Sequence, residues 1–161
     1  MSEGEKCLQA ALSHAIARTM ENMTFDEIEV VDIPLNPEIT RDGMWATLSI
    51  LNPMKGEVVL ELSREFGTQL AREVYGVALG SAISDESVRD VIAEILNTLA
   101  GRFIDRLVAS QFKFELGLPN TGNGRAHLNS RPVAAMVVSV GSHFLTTSVL
   151  GQDFESYCLN S

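Results

Sequence analysis

The sequence predicts an α+β fold, about three helices packed on a mostly antiparallel sheet. Two long stretches carry apolar residues at helical spacing, one near the start and a longer one mid-chain. Between and after them lie runs of alternating or β-branched residues, set in pairs and joined by short turn-forming segments. Such neighbouring pairs read as hairpins laid into a sheet that the helices cover.

The first helix is expected over Glu5–Asn22, where Leu8, Ala11, Leu12, Ala15, Ile16 and Met20 form one apolar face. Phe25, Ile28, Val30 and Ile33 follow with looser spacing, and Pro34 and Pro37 break regular structure. Strands are expected at Met44–Leu51 and Gly56–Ser63, with Asn52-Pro53 ending the first and Lys55-Gly56 turning into the second. Ser63 suits an N-cap for a helix that runs to Tyr75 and stops at Gly76. A longer helix starts at Ser84 or Asp85 and continues to about Ala109. Its acidic first turn matches the helix dipole, and its core face is Val88, Val91, Ile92, Ile95, Leu99 and Phe103. Phe112–Leu118 reads as a strand and Asn120–Pro132 as a polar loop. Ala134–Val140 and His143–Leu150 read as a closing hairpin about Gly141-Ser142.

At 161 residues the chain suits one domain spanning 1–161. Its 45% hydrophobic and 20% charged shares are those of a globular protein. The net charge of −9 repels phosphate backbones and anionic lipid. No nucleic-acid partner and no membrane insertion are therefore expected, whereas a protein with a basic or mixed face is compatible. The acidic start Met1–Lys6 lacks the basic and apolar regions of a secretory signal, and a cytoplasmic protein is expected. Cys7 and Cys158 sit near opposite ends, outside any metal or redox motif, and are expected as reduced thiols.

The long helix leaves Asp90, Glu94, Asn97 and Gly101 on the side opposite its apolar face, within roughly 60° of one another. Ala93 and Ala100 border this stripe. Gly101 and the alanines would let another surface come close. Glu94 offers a carboxylate for a cation on that surface, and Asn97 offers both a donor and an acceptor that could hold a water. Without a nucleophile or metal this pair is a poor enzyme alone. It suffices if a partner brings the metal and the phosphoryl group. Glu-x-x-Asn by itself arises by chance in about one chain in three of this length, and on that basis alone the stripe is merely a solvated helix side.

The pattern extends further. Asp90-x3-Glu94-x2-Asn97-x21-Pro119 resembles the motif (D/S)-x3-E-x2-N-x21-P of the CheC, CheX and FliY chemotaxis phosphatases. The full pattern has a chance rate of about one chain in several hundred. Gly56–Ser63 is similar to the strand that precedes the family's middle helix. Thr19–Phe25 is similar to the end of the first helix in CheX-like domains. The first helix has no second Glu-x-x-Asn, so the chain resembles the single-site CheX form.

The resemblance implies a CheC/CheX-like α+β domain that hydrolyses the aspartyl phosphate of a CheY-like receiver. Glu94 would pair with the receiver's lysine and Asn97 would hold the attacking water, while Asp90, Gly101 and Pro119 would support the site. It implies no cofactor or metal on this chain, Mg²⁺ on the receiver, and a homodimer. The alternative is a non-catalytic receiver-binding adaptor or a flagellar-switch-like module.

Other features carry less. His14, His127 and His143 lack metal-ligand spacing. Gly122-Asn123-Gly124-Arg125 lacks the following helix of a phosphate loop and reads as a flexible loop. Ser130 and Ser142 have no nucleophile context. The methionines read as core filler and Trp45 as packed on its strand.

Overall fold

The computed structural model describes residues 1–24, 26–78, 80–108 and 113–159. The first helix, α1 (Glu3–Glu21), begins two residues earlier than expected because Ser2 forms a capping box. Its hydroxyl accepts from the Glu5 amide at 3.1 Å, and the Glu5 carboxylate accepts from the Ser2 amide at 2.8 Å. The apolar face predicted for this helix, from Leu8 to Met20, is buried.

The elements that follow are β1 (Ile28–Val31), the short α2 (Ile39–Asp42), β2 (Gly43–Asn52), β3 (Gly56–Ser63), α3 (Arg64–Tyr75) and α4 (Asp85–Leu107). After them come β4 (Glu115–Leu116), β5 (Asn120–Asn123), β6 (Ala134–Val140), β7 (His143–Leu150) and α5 (Asp153–Leu159). The sheet runs in the order β1-β6-β7-β3-β2-β4, with β5 also paired to β2. Every pairing is antiparallel.

Alternation along the strands decides which face meets the helices. Met44, Ala46 and Leu48 of β2 stand opposite Leu62, Leu60 and Val58 of β3. The register continues that face through Leu145 and Val149 of β7 to Val138 of β6. These residues join the buried faces of α1, α3 and α4 in one apolar cluster. The helix side is closed by α4, which packs against both α1 and α3.

Several expectations change. The segment around Ile28 forms β1, because it can add to the β6 edge through the Ile28–Val140 to Val31–Val137 register. The segment read as a flexible loop begins with an ordered strand, β5, paired with β2 from Thr47–Asn120 to Met44–Asn123. Gly122 is required there, since any Cβ would collide with the Trp45 ring lying over it. Trp45 is half-buried and donates its indole N–H to the Asn123 carbonyl at 3.2 Å. The strand expected over Phe112–Leu118 is reduced to Glu115–Leu116, with residues 109–112 and the expected end of α4 at Ala109 outside the described residues.

A last helix, α5, was not anticipated. It buries Phe154 completely, with the ring 5.8 Å from that of Phe103 on α4. The expectation of two reduced thiols is also overturned. Cys7 on α1 and Cys158 on α5 form a disulfide with Cα atoms 6.0 Å apart, across 151 residues of sequence. Packing of α5 against α1 brings them together, a neighbourhood that linear separation hides.

Candidate functional site

The ridge depends on how α4 is fixed. Ser84 caps its start by accepting from the Ser87 amide at 3.1 Å. Arg64, the first residue of α3, then ties three elements to that end. Its guanidinium donates to Asp85 at 2.9 Å, to Asp42 at 3.1 Å and to Asn123 at 3.0 Å. The Asp42 hydrogen bond is the main cause holding the Arg64 pKa above its ordinary value. Along the helix, Val88, Val91, Ile92, Ile95, Leu99 and Phe103 are buried as predicted, joined by Leu96, Ala100, Ile104 and Leu107. Ala100 therefore belongs to the core and not to the stripe it was expected to border.

On the other side Asp90, Glu94 and Asn97 are exposed and Gly101 is half-buried. Glu94 and Asn97 lie one turn apart, which puts their Cβ atoms about 5–6 Å from each other. Among the described residues no side-chain hydrogen bond or ion pair engages Asp90, Glu94 or Asn97. A Cβ built at Gly101 meets nothing within 4 Å. The molecule's own packing therefore does not require a glycine here, and the gap it leaves faces outward. Pro119 is off the helix, half-buried immediately before β5, the strand that lies against α4.

Sequence reading missed a neighbour of this ridge. Met23, Val74, Tyr75, Val91, Asp90 and Glu94 line a hollow of about 270 Å³. Val74 and Tyr75, at the end of α3, are half-exposed at 50% and 52%. The available signal was two large apolar residues in the last turn of α3, just before Gly76 and beyond Ala71, the last residue that helix buries. Large exposed apolar side chains beside a polar ridge suit a protein contact.

The histidines do not converge on this site. His143 contacts Glu38 at 2.9 Å and the Gln69 amide at 3.1 Å, and its ring stacks on Phe66 at 4.8 Å. It fastens the start of β7 to α2 and α3. Among the described residues there is no group of three His, Cys, Asp or Glu side chains placed to hold a metal ion. None of the described helices is long and apolar enough to cross a membrane.

Fold and ridge together define a small α+β domain that presents two carboxylates, Asp90 and Glu94, and one amide, Asn97, on an open helix face. The family profile described as Chemotaxis phosphatase CheX matches residues 44–142, which is more than half of the chain and includes the whole of α4. This chain belongs to the chemotaxis phosphatase CheX family.

Solved structures agree on the fold. CheX in the CheX-CheY-BeF3-Mg²⁺ complex from Borrelia burgdorferi is 18% identical, with a TM-score of 0.66 over 88% of this chain and 95% of that one. FliY from Thermotoga maritima is 11% identical, with a TM-score of 0.67 over 99% of this chain and 96% of that one. The FliM middle domain from H. pylori is 13% identical, with a TM-score of 0.61 over 98% and 99% of the two chains. A search of the curated proteins finds no match to the sequence.

Proposed function

We propose that this chain hydrolyses the aspartyl phosphate of a CheY-like receiver, with Glu94 and Asn97 as the working pair. One observation carries the reading. The acid and the amide that complete the family motif stand exposed on one face of α4, free of internal partners among the described residues. A motif residue engaged only in folding would be buried or bonded within the chain. The presence of CheY with beryllofluoride and Mg²⁺ in the Borrelia CheX complex supports the choice of partner.

The chemistry follows from what each group can do. The Glu94 carboxylate pairs with the receiver's lysine and sets the angle at which the two proteins meet. The Asn97 amide holds a water by donating from its N–H and accepting at its carbonyl. That water attacks phosphorus, the bond from phosphorus to the aspartyl oxygen breaks, and inorganic phosphate and free aspartate result. Mg²⁺ and the phosphoryl-binding groups belong to the receiver. This chain supplies positioning, which can lower a barrier by several kcal/mol. Asp90 stands beside the pair on the same exposed ridge, and Pro119 shapes the strand end nearby. The same reading assigns the chain to the cytoplasm and to a homodimer, for which light scattering on the purified protein is the check.

The test is the decay of phosphorylated receivers from the same cell, with and without this protein. Asn97→Ala should abolish acceleration while leaving the circular dichroism spectrum and Tm unchanged. Glu94→Ala should weaken both docking and rate. Wild-type decay rates in either variant would sink the assignment of roles. The likeness to the FliM middle domain favours a second reading, an adaptor that binds receiver without hydrolysis. In that case the wild-type chain would bind phospho-receiver and leave its lifetime unchanged.

A further inference from the structure

The hollow beside the ridge gathers groups that the fold itself leaves unused. Of its lining, Val91 is buried and Met23 half-buried, while Val74 and Tyr75 stand half-exposed at the end of α3. Asp90 and Glu94 complete it, both exposed. No basic side chain lines the hollow. Among the described residues neither carboxylate has a hydrogen-bond or ion-pair partner. The two are four residues apart on α4, and like charges at that spacing repel one another and weaken a helix. Nothing lining the hollow offsets that repulsion.

This chemistry narrows the occupant. At about 270 Å³ the hollow is smaller than the roughly 300–1,000 Å³ of small-molecule pockets and suits a single side chain. A purely apolar side chain would dry the two carboxylates and leave them without a partner. A lysine or arginine satisfies both halves. Its methylene stem lies along Met23, Val74 and Val91, its charged head meets the carboxylates, and the Tyr75 ring offers a face to the cation.

The ridge says where that side chain comes from. Glu94 lines the hollow and also belongs to the ridge, so a protein docked on Glu94 and Asn97 lies at the mouth of the hollow. Around α4, Asn97, Glu94 and Val91 stand in successive steps of about 60°. The lysine at the receiver's phosphoryl site belongs on the Asn97 side of Glu94. The side toward Val91 is left for a different basic group.

We propose that Asp90, Val74 and Tyr75 form, with Glu94, a recognition pocket for a second lysine or arginine side chain of the receiver, one outside its phosphoryl site. This deepens the reading of the chain as a receiver phosphatase and rests on it. It makes Asp90 a positioning residue that also sets specificity. Receivers with a basic side chain at this point are accepted, and those with an acidic one are repelled.

The experiment measures binding of the wild-type chain, Asp90→Asn and Tyr75→Ala to a receiver loaded with Mg²⁺ and beryllofluoride, across a salt series. Both side chains are exposed, so the variants should keep the wild-type Tm. The expected result is about tenfold weaker binding in each, with a flattened salt dependence in Asp90→Asn alone. In phosphate release the loss should sit in KM and not in kcat. Each exposed lysine and arginine of the receiver outside its phosphoryl site is then changed singly to glutamine. One of these changes should weaken binding as much as Asp90→Asn does, and cost nothing further when the two are combined. Wild-type affinity in Asp90→Asn, or no receiver change that couples to it, would overturn the pocket and leave the phosphatase reading standing. Weakened binding in Tyr75→Ala alone would make the occupant apolar and overturn it too. A change in oligomeric state with receiver binding unaltered would assign the hollow to a second copy of the chain, with the same consequence. Asp90-dependent binding by a wild-type chain that leaves the receiver's phosphate lifetime unchanged would sink hydrolysis and keep the pocket. If the wild-type chain binds no loaded receiver, both readings fall.

Discussion

Asn97 is the residue whose chemistry can be separated from its shape. Aspartate has nearly the same size and would sit at the same place on α4, but it lacks the amide N–H and, on the proposed function, would add a negative charge facing the receiver's phosphoryl group. Asn97→Asp should therefore fold like the wild type and lose about 10²-fold or more in phosphate release, the scale of removing one well-placed donor. Preserved rates in a decay assay would mean that the side chain only fills space. Glu94 differs in kind. Its exposure and its lack of partners among the described residues mean that its removal leaves nothing buried and unsatisfied, so its loss should show in receiver affinity and not in Tm.

At the scale of the element, α4 is a helix with two obligations. One side is fixed in the core from Val88 to Leu107, and its start is held by the Ser84 cap and the Arg64 network. The other side is left open for contact. Gly101 makes the division measurable. Because a Cβ there meets nothing, Gly101→Ala should raise stability by about 0.5–1 kcal/mol through the helix preference for alanine. Gly101→Trp should still fold, yet should slow receiver dephosphorylation by blocking close approach. Thermal melts and decay assays on the two variants check both halves. A tryptophan variant with full activity would move the contact surface away from this turn.

For the whole molecule, closure depends on the chain ends. α5 inserts Phe154 into the core beside Phe103, and the Cys7–Cys158 disulfide fastens α5 to α1. A bridge that spans 151 residues restricts the unfolded chain strongly, so its loss should cost about 2–5 kcal/mol. Reductant should lower the Tm of the wild-type chain and leave that of Cys7→Ser/Cys158→Ser unchanged. Equal melts with and without reductant would show that the bridge adds nothing to stability. The ridge is on the far face of α4 from Phe103, and phosphate release by the double variant below its Tm should match the wild type.

Legibility in the sequence followed the range of the interactions. α1, α3, α4, the β2–β3 pair and the β6–β7 hairpin are written in local spacing and caps. Asp90, Glu94, Asn97 and Gly101 share a face because helix geometry alone puts them there. What depends on distant partners was not readable. β1 and β5 become strands only because β6 and β2 offer free edges, and Ala100 joins the core only once the rest of the chain packs around α4. The same holds for Cys7 with Cys158 and for the Val74 and Tyr75 hollow beside Glu94. The sequence by itself determined α1, α3 and α4, the hairpins and the stripe of Asp90, Glu94, Asn97 and Gly101, since each is fixed by residues within a few turns of one another. Tertiary structure alone decided which distant segments close the sheet, lock the ends and frame the stripe, because burial and pairing between them exist only once the chain has folded.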